Sequence, residues 1–152
     1  KQSERHEFTE PMGDRLVMAS RFILYSYLFN KPFALEYDIE EIDFNLPSHN
    51  RFKNYIIENV KNGQKNRFSD LYDSAIDDDG VELSYMAGLE VDETKNYDES
   101  LYFYDCIKTL KKHKIDGEIE RLNEELKEVD QAEKRRELAT KLAKLVAEKK
   151  LY

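Results

Sequence analysis

The stretch "IDGEIERLNEELKEVDQAEKRRELATKLAKLV", residues 115–146, decides the fold. Its apolar positions Ile115, Ile119, Leu122, Leu126 and Val129 are spaced four, three, four and three apart. After a polar interval, Leu138, Leu142 and Leu145 resume the same seam, and this periodicity is helical. Asp130 followed by Glu133 has the form of a capping box, so a second helix is expected from Gln131. Folding back at residues 129–131 sets Ile119 near Leu142 and Ile115 near Val146, which makes an antiparallel helical hairpin. Ala132, Ala139 and Val146 lie beside the seam. So thin a seam buries little apolar surface against the entropy of ordering two arms. The hairpin is therefore expected to need the preceding helix, or a partner, to hold one geometry. Thr140, Lys144, Ala147 and Leu151 project opposite the seam, with Tyr152 at the end. These residues form a modest outward patch, suited to a partner surface.

Upstream, residues 13–30 carry Leu16, Ala19, Ile23, Leu24, Tyr27 and Leu28 at helical spacing, apolar enough for a central helix. Lys31-Pro32 interrupts it, and Pro32 suits the first turn of a short helix running to Ile42. Pro47 disfavours helix at Leu46. Ser48 is the expected N-cap of a helix bearing Phe52, Tyr55, Ile56, Ile57 and Val60, stopped by Asn62-Gly63. Further short helices are expected over residues 69–77 and 81–90, and Asp98 can cap a helix with Leu101, Tyr104, Cys106, Ile107 and Leu110. No segment combines two-residue alternation with hairpin-turn chemistry, and Gly and Pro number only five and three. The class is all-α, with a bundle over residues 1–111 and the hairpin over 112–152.

Bulk composition narrows the function. Charged residues make up 37% of the chain and the mean hydropathy is −0.79, but ten Tyr and eight Phe supply core material. The net charge of −8 argues against a duplex-DNA binder, which needs a basic face. The charge is uneven: from Lys111 onward twelve basic residues meet ten acidic ones, while the remainder carries twelve against twenty-two. A single cysteine, Cys106, rules out an internal disulfide framework and fits a reducing cytoplasm. No apolar run reaches membrane-spanning length and the opening residues lack a signal-peptide pattern. Lys1 in place of an initiator Met suggests a piece of something larger.

Candidate chemistry is sparse. "DDDG" at residues 77–80 invites a divalent-cation reading. Aligning Gly80 with the glycine of a calcium loop puts Ala75 and Met86 at ligand positions, so a solvated helix end is favoured. His6, His49 and His113 lack ligand spacing with one another or with Cys106 and read as surface or packing residues. Cys106 lies on an apolar face and reads as a buried thiol. Neither a phosphate-cradling glycine loop nor a nucleophile motif is present. The basic runs at residues 108–114 and 133–138 interleave with acids and read as solvated helix faces.

In order and length, the chain resembles the C-terminal helicase-binding domain of bacterial DnaG-type DNA primases. The segments that carry the likeness are "GDRLVMASRFILYSYLF", "FNLPSHNRFKNYIIENVKNG", "YDESLYFYDCIKTLKKHK" and the hairpin. Phe44, His49, Phe52 and Gly63 are similar to a phenylalanine–histidine–apolar–glycine pattern shared with the N-terminal domain of the replicative helicase. At "LPSH" the chain departs from the family, which often has acidic residues before the histidine. The resemblance implies a helical bundle like that helicase domain, followed by a hairpin that docks onto the N-terminal domains of the DnaB-type helicase. It also implies that zinc and magnesium belong to other domains of the full-length primase, with no cofactor, catalysis or direct nucleic-acid binding in this chain. On that footing Ala147, Leu151 and Tyr152 would anchor the contact, while Lys141, Lys144 and Lys150 tune register and encounter. The alternatives are a helicase N-terminal or helicase-loader-like domain, a metal-dependent phosphoryl-transfer or nuclease domain using residues 77–79, and a nucleic-acid-binding hairpin.

Overall fold

Helix α1, Met12–Leu28, is apolar on nearly every face, and the first half of the chain is built around it. The computed structural model describes residues 12–152, and within them every regular element is helical. After α1 come α2 (Pro32–Leu35), a 3-10 turn (Ile39–Glu41), α3 (Pro47–Lys61), α4 (Phe68–Ser74), α5 (Asp77–Val91), α6 (Glu99–Glu128) and α7 (Ala132–Lys149). His6, named in the sequence, lies outside the described residues. Contacts divide the chain into two units, one ending at Ile107 and the other Lys108–Tyr152. The division falls inside α6, between residues 107 and 108, where the sequence reading set it between 111 and 112.

In the first unit α1 packs against α3 and α5. Residues 22–28 are buried without a break, which is what a helix apolar all round requires. The polar groups on this run are satisfied. Ser26 Oγ donates to the Phe22 carbonyl at 2.9 Å and the Tyr27 hydroxyl donates to the Tyr37 carbonyl at 2.8 Å. Phe103, fully buried on α6, meets Tyr27, Phe33 and Tyr37 edge-on at 5.4–6.3 Å.

Three local expectations are corrected. Pro47, not Ser48, opens α3: Leu46 stays extended before it, and Ser48 is already helical and buried. Proline at the first helical position has no N–H to satisfy and a preset φ, so a side-chain cap is dispensable. The segment after Pro32 is not one helix to Ile42. It breaks after Leu35 and resumes as the 3-10 turn, whose entry is capped by Asp38 accepting from Glu40 N at 3.0 Å. The helix placed at residues 69–77 ends at Ser74, and Asp77, at φ +53°, begins α5 instead.

α3 ends as its sequence implies. Gly63 sits at φ +64°, Gln64 N donates to Asn59 O at 2.8 Å and Gly63 N to Val60 O at 3.2 Å. This is a Schellman closure with glycine in the left-handed position. The loop beyond is pinned by Asn66. Its side chain donates to the Tyr27 carbonyl at 2.8 Å and accepts from Asn59 at 2.9 Å, and its backbone exchanges hydrogen bonds with the Asn30 side chain.

In the second unit, α6 runs unbroken through Gly117, and α7 returns after the turn at residues 129–131. Lys149 pairs with Asp116, and the Lys111 ammonium lies 5.8 Å from the Tyr152 ring centre, so the end of α7 lies beside residues 111–116. The arms form an antiparallel hairpin. Its cap differs from the expected one: Gln131 takes the N-cap position without a side-chain bond, and helix begins at Ala132.

Candidate partner-binding surface

The seam residues occupy graded positions. Ile115, Leu122 and Leu138 are buried, at 3–4% exposure, while Ile119, Leu126, Val129, Leu142 and Leu145 are half-buried. Ala132, Ala139 and Val146, expected beside the seam, are exposed, Val146 by 41%. α7 therefore fully buries a single side chain, Leu138.

On the outer side of α7, Thr140, Lys141 and Lys144 line one shallow depression of about 520 Å³ together with Glu133, Arg136 and Glu137. Ala147 and Lys150 are exposed further along, and Leu151 is 74% exposed. Tyr152 departs from this row. It is half-buried with its ring against Lys111, which is a cation–π contact within the unit. The sequence missed Arg136, Glu133 and Glu137 because charged residues on a polar face give no periodic signal. Val146 was missed because its spacing placed it inside.

Phe44, His49 and Phe52 share one region through packing, while Gly63 is exposed beyond the far end of α3. Phe44, His49 and Phe52 are all buried, and the His49 ring lies 6.2 Å from Phe44 and 6.4 Å from Phe52. His49 Nε2 is 2.7 Å from Glu82 Oε1. Arg21 grips the same carboxylate from α1, Nε to Oε1 at 2.8 Å and Nη2 to Oε2 at 2.9 Å. One buried carboxylate thus ties α1, α3 and α5 together. The Arg21 hydrogen bonds hold the Glu82 pKa below the usual carboxylate value, and its carboxylate raises that of Arg21. Burial, helped by the Arg21 charge and opposed by the Glu82 hydrogen bond, pushes His49 below its ordinary value; a neutral ring meets the carboxylate by donating from Nε2.

The remaining candidates have structural surroundings. Asp79 accepts from Arg51 at 2.7 and 3.1 Å, which lowers its pKa. Asp77 and Asp78 open α5 beside it, where carboxylates favour the positive end of the helix. Among the described residues no group of three or more His, Cys, Asp or Glu side chains is arranged to hold a metal ion. Cys106 is buried and its thiol is pushed up to about 12 by that burial. His113 is exposed on α6. No helix among the described residues is long and apolar enough to cross a membrane. No protein-family model, curated protein or solved structure matches this chain.

Proposed function

We propose that this chain is a non-enzymatic interaction module of a bacterial DNA primase, which recruits the primase to the DnaB-type replicative helicase during primer synthesis. The bundle up to Ile107 would be the counterpart of the helicase N-terminal domain and would modulate helicase activity. The hairpin would dock onto the helicase N-terminal domains through the outer side of α7. The observation that carries this reading is the burial along α7, where one residue of eighteen is fully covered. An 18-residue helix with so little packed against it gains most of its order from a neighbour. Depression-lining Thr140, Lys141 and Lys144 and the exposed Ala147 and Leu151 would meet that neighbour, and the family-like order of segments names it. Primer synthesis, with its zinc and magnesium, would belong to other domains of the full-length protein.

The test is calorimetric titration of the whole chain against the N-terminal domains of the source organism's replicative helicase. Saturable binding is expected, and Ala147→Glu with Leu151→Glu should abolish it without lowering the melting temperature, since both positions are exposed. Undiminished binding by that double variant, or none by the native chain, rejects the reading.

A further inference from the structure

We propose a second docking site, independent of the hairpin. The aromatic groove between α1, α5 and the start of α6 receives an amphipathic helix of another protein, apolar where it enters and carrying Lys or Arg at its margins. The groove holds about 570 Å³. Its walls are residues at four-residue spacing, Asp14, Met18 and Phe22 on α1 and Tyr85 and Leu89 on α5, with Tyr97 and Tyr102 closing one side. Two such ridges bound a furrow that a third helix fills with a ridge of its own.

The apolar material is on show. Among the lining residues Met18 is 52% exposed, Tyr85 55%, Tyr97 43% and Tyr102 39%. An apolar surface that continues from helix to helix marks a protein contact, where scattered single residues would not.

The floor is also fixed in advance. Phe22, fully buried, meets Tyr102 edge-on at 4.6 Å and Tyr97 at 6.3 Å. The Arg21 guanidinium lies 3.8 Å from the Tyr85 ring centre, and the Glu82 carboxylate holds it there. A site whose side chains are already held loses little entropy on binding.

Charge selects the occupant. Residues 12–107 hold nine Lys and Arg against nineteen Asp and Glu, a net of −10. Three nearby cations are paired within the unit, Arg21 with Glu82, Lys31 with Glu90 and Lys95 with Glu99, while Arg15 is exposed on α1 beside Asp14. Asp14 lines the groove, and exposed Asp92 and Glu93 follow the end of α5. Such a field repels phosphate-bearing polymers and anionic lipid and attracts a cationic protein segment.

The experiment titrates the whole isotope-labelled chain with a synthetic Leu/Lys amphipathic helix of about 15 residues, roughly four turns, and with its Leu/Glu counterpart. Saturable shifts of Met18, Tyr85, Leu89 and Tyr102 resonances are expected with the lysine peptide alone. Met18→Lys, and Met18→Ser where the charge is unwanted, should weaken it about tenfold or more, a loss of ~1.4 kcal/mol. Val60→Lys, the same change of charge on the exposed side of α3, should leave it within about twofold. Equal binding of the glutamate peptide, undiminished binding by both Met18 variants, or shifts elsewhere overturns the proposal. So does self-association of the peptide-free chain that Met18→Ser abolishes, since a second copy would then be the occupant.

Discussion

His49 Nε2 and Glu82 Oε1 are 2.7 Å apart in the interior of the first unit, and the same oxygen accepts from Arg21 Nε at 2.8 Å. A carboxylate with three charge-assisted or neutral donors is well satisfied, and removing it strands all of them. Glu82→Ala should cost about 3–5 kcal/mol, the range for breaking a buried pair. Glu82→Gln should cost less, because its amide oxygen still accepts. Urea unfolding followed by circular dichroism measures both, and a loss under ~1 kcal/mol for Glu82→Ala would deny the carboxylate its bracing role.

The same triad sets the acid response. The folded-state pKa of His49 lies below its ordinary 6.5, so the unfolded chain binds the proton more readily. Stability from this group is complete above 6.5 and declines as the pH falls below it. Glu82, whose pKa is below its ordinary 4.5, adds a further loss under that value. Melting temperature should therefore start to fall just under pH 6.5 and fall again below 4.5. His49→Gln keeps an N–H donor without titrating, and should flatten the first decline while leaving the second.

Two glycines should respond with opposite signs. Gly63→Ala forces a side chain into φ +64° at the close of α3 and should destabilise by about 1 kcal/mol, although no atom stands within 4 Å of the added Cβ. Gly117→Ala also meets nothing within 4 Å, but lies inside α6, where alanine is preferred by about 1 kcal/mol. It should stabilise the hairpin. Thermal unfolding of the two variants side by side checks the pair.

Leu138 is the sole fully buried residue of α7. Leu138→Ala should remove about 2–5 kcal/mol of local stability. Amide exchange should then quicken across residues 132–149 while the helices of the first unit keep their protection. Uniform quickening over both units would mean that the hairpin and the bundle unfold as one.

The periodic parts of this fold were open to a reading of the sequence. The seam from Ile115 to Leu145 repeats at helical intervals, and Asn62-Gly63 and Asp98 carry cap chemistry, so helices and hairpin followed from side-chain spacing alone. Asp98 does cap α6, accepting from Ser100 N at 3.0 Å and Leu101 N at 3.3 Å. The bracing carboxylate was not open in that way. Arg21 and Glu82 are separated by 61 positions, and Glu82 follows three aspartates that give the same local signal. Nothing local tells which of the four acids turns inward. Helix boundaries failed where proline or a 3-10 turn replaced a side-chain cap. On the outer side of α7, Thr140, Lys141 and Lys144 fell in one row because helical geometry alone fixes that. Tyr152 did not, because it lies beyond the helix and its ring is placed by Lys111.

The claim that α7 presents its outer side to the helicase is tested most directly by hydrogen exchange of the whole chain, with and without the helicase N-terminal domains. Residues 132–152 are predicted to exchange faster in the free chain than the helices of the first unit and to slow at least about tenfold in the complex. Equal, slow exchange in that segment with and without the helicase would contradict the account.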